Sequence, residues 1–285
     1  MLRLYMFLAI LGLSCLTFAS PPRPEIKKMK YWIHESCPSR FRDFDSAFKS
    51  ALRIARRTWD RLNSDTDDNF HNVFNAIFKV YEEEDDYKDR LQDVKDTFQR
   101  VWSLVETKKR KEADIRVYCD NDAIYDPRIQ NSNPDNRWHR KKDGRYYDPT
   151  NKMYSDGKNN LGPPSCSDTS PSAGVTYYDE GRFPWSSWHY SITLCDVLFS
   201  PKFTPEIARL NPLVIDEELK ARDWNRFAIA HFSHLIAQTI LHELTHATSK
   251  GIIRDTPLGY SYEWHNLMAM GRKDALTNAD SHGML

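Results

Sequence analysis

The chain has 285 residues, with 40 Lys plus Arg against 40 Asp plus Glu, and 40% of its residues are hydrophobic against 28% charged. With 15 Pro, 10 Gly and 5 Cys it is neither collagen-like, nor low-complexity, nor a disulfide-dense miniprotein. A balanced charge gives no global basic field, so nucleic acid is not an expected partner.

Residues 1–19 read as a secretory signal: Arg3, an apolar run, then small residues at Thr17 and Ala19. Cleavage is expected after Ala19, because Pro21 disfavours a cut after Ser20. The run is short for a bilayer span and no later segment is long and apolar enough, so the expected product is secreted, not membrane-bound. Cys15 leaves with the signal, and Cys37, Cys119, Cys166 and Cys195 remain. An even count in an exported chain implies two disulfides, in any of three pairings. No two of these cysteines form a CxxC, which argues against a zinc ribbon, and no Asn-X-Ser/Thr acceptor is present.

From Arg40 to Lys111 the apolar period is helical. Phe41, Phe44, Phe48, Leu52, Ala55, Trp59 and Leu62 form one stripe. Phe70, Val73, Phe74, Ile77 and Phe78 form a second, and Tyr87, Leu91, Val94, Phe98, Val101, Trp102 and Val105 a third. Ser64 to Asp68 supplies a break and an N-cap between them. These stripes are read as core. The run Lys108 to Lys111 is read as cations at a helix C-terminus in preference to a dibasic processing site.

Ile115 to Cys119 alternates like a strand, and residues 120–187 predict turns and short edge strands, not a separate domain. Tyr190 to Cys195 is the clearest strand of the second half. Beside it, Trp185, Trp188, His189 and Tyr190 either line a groove or pack under a loop. Asp223 to Lys250 predicts the most apolar helix, with Gly251 as its C-cap. The expectation is one α+β domain over residues 20–285: a helical half (38–112), a strand and loop region (113–200) and the apolar helix with its following loop (201–285).

That helix carries His242-Glu243-Leu244-Thr245-His246, an HExxH. Four residues make about one helical turn, so both imidazoles project from one face, spaced to bind a single Zn²⁺ with Glu243 beside the metal's open position. Zinc acidifies a water, and Glu243 is placed to take its proton as a carbonyl is attacked. His231 and His234, on the same helix, lack a matching partner set and are read as structural. A third protein ligand is required. The metzincin spacing fails, because Ser249 and Ile252 stand where Gly and His are needed. Glu263, on a later helix, and Asp255, just past the Gly251 cap, are both available, and His265 is a spare donor.

These residues resemble the aspzincins, the family of deuterolysins and peptidyl-Lys metalloendopeptidases. The resemblance rests on HELTH, on Tyr118-Cys119-Asp120-Asn121 and Ile192-Thr193-Leu194-Cys195-Asp196, and on two segments beyond the helix. Leu258 to Tyr262 is similar to an LGYGY segment, and Asp274 to Ser281 to a DALNNADS stretch. It implies a zincin-like α+β fold and one Zn²⁺ per chain, held by His242, His246 and an Asp. The family's ligand position falls, without gaps, on Pro257; Asp255 lies nine residues past His246, similar to the Lys-specific branch, and is assigned instead. The resemblance further implies Glu243 as general base, Tyr260 as oxyanion donor with Tyr262 as fallback, and Asp280 behind a ligand or capping a helix. It also implies the pairings Cys37–Cys119 and Cys166–Cys195. The expected function is a secreted, monomeric zinc endopeptidase acting on protein or peptide. The alternative is a secreted binding or effector protein on the same scaffold.

Overall fold

The computed structural model describes residues 25–64, 66–155, 163–166, 172–178, 189–201, 203, 235–255 and 264–285. Its secondary structure is mixed α+β, with two small sheets. The signal segment, His231, His234 and the two tryptophans of the predicted groove lie outside the described residues.

Among the described residues the first element is a strand that the hydrophobic pattern did not reveal, β1 (Lys30–Ile33), followed by α1 (Ser36–Arg40). Helix α2 (Phe44–Leu62) buries Phe44, Ala47, Phe48, Ala51, Ala55, Thr58 and Leu62, one face repeating every three or four residues. Three alanines in that face allow close approach of neighbouring helices. Helix α3 (Asp68–Phe78) is capped by Asp67, whose carboxylate accepts from Phe70 N at 3.2 Å. Helix α4 (Tyr87–Trp102) packs on α2.

The third apolar stripe overran its helix. Val105 lies in β2 (Val105–Glu106) and is exposed, because its N–H pairs with Met29 O and draws the chain into a strand beside β1. The cationic run therefore does not cap α4: it lies around a 3-10 turn at Arg110–Glu112, where Lys109 meets Glu112 at 2.9 Å.

The main sheet has the order β2-β1-β3-β9-β8, with β3 spanning Ile115–Tyr118, β8 Gly174–Tyr178 and β9 Tyr190–Leu194. Its first four strands are parallel and β8 alone is antiparallel, with Thr176 opposite Ile192. Every residue of β3 and β9 is buried, as central parallel strands require. The second sheet, β4 (Ile124–Tyr125), β5 (Trp138–Arg140), β6 (Tyr146–Asp148) and β7 (Met153–Tyr154), fills part of the predicted turn-rich region. Its Trp138 and Met153 pack on Tyr177 of β8.

Between the sheets Arg137 is buried among Asp120 (2.7 Å), Asp122 (2.6 Å) and Asp148 (3.1 Å). Burial alone would disfavour its charge, but the three carboxylates outweigh that and raise its pKa further. Asp122 also accepts from Trp138 Nε1, Tyr177 OH and Cys166 N, so no lone pair of this buried anion is wasted. Disulfides Cys37–Cys119 and Cys166–Cys195 tie the ends of β3 and β9 to flanking segments, in the pairing the resemblance implied.

Candidate metal centre

Helix α5 (Ile236–Thr248) lies between α2 and α4 on one side and β8 and β9 on the other. Ile236, Ile240, Leu241, Leu244 and Ala247 are buried, and so are Gln238, His242, Glu243, Thr245 and Thr248. Polar groups in such a place are costly unless each finds a partner. The helix ends where Gly251, at φ 72°, donates its N–H to His246 O at 3.1 Å.

One turn of helix brings the two imidazoles together, with Nε2 to Nε2 at 3.1 Å. The other ring nitrogen of each is occupied. His242 Nδ1 meets Asp280 Oδ1 at 2.8 Å, and His246 Nδ1 meets Ile253 O at 2.9 Å. Both acceptors fix the Nδ1–H tautomer, which leaves two Nε2 lone pairs facing one point.

The chain beyond the helix delivers the third donor. Ser249 Oγ accepts from Ile253 N at 3.1 Å, which turns the loop back over the helix end. A parallel bridge between Arg254 and Asn278 then clips the loop to the final segment, with Arg254 N on Thr277 O at 2.7 Å and Ala279 N on Arg254 O at 3.1 Å. Next in the chain, Asp255 places Oδ1 3.1 Å from His242 Nε2 and 3.2 Å from His246 Nε2. By distance those contacts are ion pairs, yet Asp255 Oδ1 is buried with no hydrogen bond of acceptable geometry. The donor set reconciles the two statements: with both Nδ1 atoms protonated, three acceptors converge, an arrangement that suits a cation. Ligands at about 2.0 Å from a tetrahedral zinc stand about 3.3 Å apart, close to the three edges seen here. His242, His246 and Asp255 can therefore hold a metal ion.

Electrostatics agree. Burial would lower the His242 pKa, but the Asp280 carboxylate first, and Asp255 with it, raises it well above the ordinary imidazole value. Burial would raise Asp255, but its two imidazole neighbours hold it well below the usual carboxylate range.

Glu243, next on the helix, is buried, and burial raises its pKa. Its Oε2 accepts from Thr176 Oγ at 2.6 Å, and its Oε1 lies where a Cβ on Gly174 would come within 2.8 Å. Neither β8 residue carries a sequence motif. Their alternation within a strand beside the helix was the only available signal, and it marks packing as readily as function.

Tyr260, Tyr262 and Glu263 lie outside the described residues. His265 is exposed on α6 (Trp264–Ala269) and is not among the clustered donors. Of the roles the resemblance implied for Asp280, the contact with His242 is present; Asn278 caps α8 (Ala279–Met284), which follows α7 (Arg272–Thr277). Tyr190 is core, its phenol pushed up to about 12 mainly by burial. His189 Nδ1 rests 3.2 Å from Ala113 O.

No protein-family model, curated protein or solved structure matches the chain. The site itself defines a two-histidine, one-carboxylate cluster of the kind that holds a metal ion. Two disulfides accompany it, and among the described residues no helix is long and apolar enough to cross a membrane.

Proposed function

We propose that this chain is a secreted zinc endopeptidase of zincin-like architecture, acting on protein or peptide, with one Zn²⁺ held by His242, His246 and Asp255. One observation carries the reading: three buried or half-buried acceptors converge at 3.1–3.2 Å beside a buried carboxylate on the same helix. Two imidazoles and one carboxylate suit zinc and leave a fourth position open, as a catalytic site requires. Zinc at such a site supplies Lewis acidity, acidifying a water and polarising a carbonyl.

The protein's own groups supply the rest. Asp280 and the Ile253 carbonyl hold the imidazole tautomers. Glu243 moves the proton: Thr176 occupies Oε2, so Oε1 is the oxygen left to accept it. Burial raises the basicity of that carboxylate toward what a general base needs. Strand β8 is terminal in its sheet among the described residues, and an extended peptide can add to such an edge. Tyr260 as oxyanion donor rests on the resemblance alone.

The test is the purified mature chain. We expect one zinc per chain, casein hydrolysis abolished by a chelator, and a Glu243→Gln variant that keeps zinc while kcat falls by roughly 10²- to 10⁴-fold. If the chain binds zinc but wild type and Glu243→Gln are equally inert, the protein is a binding or effector protein on this scaffold.

A further inference from the structure

Glu243 projects from α5 with freedom about three side-chain torsions, and ordering a glutamate costs up to about 2 kcal/mol. Two residues on one face of β8 hold it. Side chains in a strand alternate, and here Val175 and Tyr177 turn towards Trp138 while positions 174 and 176 turn towards α5. Thr176 Oγ donates to Glu243 Oε2 at 2.6 Å and lies 3.1 Å from the Glu243 carbonyl oxygen, so one hydroxyl reaches both ends of the same residue. Threonine suits this task because a β-branched side chain is stiff at χ1. Gly174 supplies the space: a Cβ there would sit 2.8 Å from Oε1 and 2.9 Å from Cγ, inside the limit for real contacts. Gly174 has no positive φ among those found, so room for the carboxylate is its visible reason for being glycine.

We infer that Thr176 is the positioning residue for Glu243 and that Gly174 is the seat of its carboxylate, Oε2 being tied to the strand so that Oε1 is presented to the reaction. The inference rests on the endopeptidase reading and adds to it a strand that orients the base.

Thr176→Val keeps the shape and removes the hydroxyl. With zinc content and KM for a casein-derived peptide unchanged, its kcat is expected to fall roughly 10- to 100-fold. Thr176→Ser should restore kcat to within about threefold of wild type, since the hydroxyl returns. Apart from turnover, a crystal structure of the zinc-loaded Thr176→Val chain should show the Glu243 carboxylate in more than one conformer. A single, wild-type position of Glu243 in that crystal overturns the inference, as does an unchanged kcat when the wild type is active. If the valine chain does not fold, Gly174→Ala takes its place: it should displace the carboxylate and lower kcat at constant zinc and KM, and an undisturbed Glu243 refutes the seat. A wild type that binds zinc and cleaves nothing sinks the endopeptidase reading, and the crystal comparison then decides the positioning by itself.

Discussion

His242 Nδ1 lies 2.8 Å from Asp280 Oδ1, 38 residues further along the chain. The carboxylate fixes the ring's tautomer and raises the basicity of Nε2, so it would act on a metal held there without touching it. Asp280→Ala should weaken zinc binding by roughly 10- to 100-fold, and Asp280→Asn, which keeps an acceptor, by less. Competition with a chromophoric chelator measures both, and equal affinity in all three chains would remove Asp280 from the site.

Arg137 is one buried cation for three buried or half-buried carboxylates. Removing it strands those charges, so Arg137→Met should cost about 3–5 kcal/mol in urea denaturation. Arg137→Lys should recover little of the loss, because a point charge cannot reproduce the fork that reaches Asp120, Asp122 and Asp148 together. A lysine chain as stable as wild type would contradict the geometry.

His282 is buried against Phe78 and Phe98, with Nδ1 on Asn278 O at 2.9 Å, and burial lowers its pKa from 6.5 to about 4. Between those values the unfolded chain binds a proton that the fold refuses, so stability rises with pH through this window and is lost as pH falls. The loss on going from about pH 7 to pH 5 should be about 2 kcal/mol larger in wild type than in His282→Gln. Denaturation curves at both pH values test it; parallel losses would mean that the ring is charged in the fold.

The disulfides close loops of different size, with sequence separations of 82 for Cys37–Cys119 and 29 for Cys166–Cys195. In the chain-entropy account, replacing the first pair by alanine should destabilise by about 4–5 kcal/mol and the second by about 3–4 kcal/mol. Melting of the two double variants ranks them. The reverse order would show that local packing, not loop closure, sets their value.

Helices α2 to α4 were legible because each buries one stripe, and a stripe leaves its period in the residues whatever it packs against. The boundary at Trp102 was not, since Val105 continues the period and only the pairing with β1 removes it from the helix. β1 escaped notice because Lys30–Ile33 is too short to display a period.

At the site, what the amino-acid order determined by itself was whatever lies within one turn of helix: His242 and His246 on a common face, with Glu243 beside them. The resemblance assigns Asp255, but its place beside the two imidazoles could not be read from the residues, because a loop residue's place is set by what clips the loop. That clip is the Arg254–Asn278 bridge, which joins segments far apart in the chain. Thr176, Gly174 and the Arg137 cluster were decided by tertiary structure alone. A hydroxyl 67 residues from its carboxylate partner, or an arginine between two sheets, meets its neighbours only when the strands are laid in order, and no local pattern encodes that order.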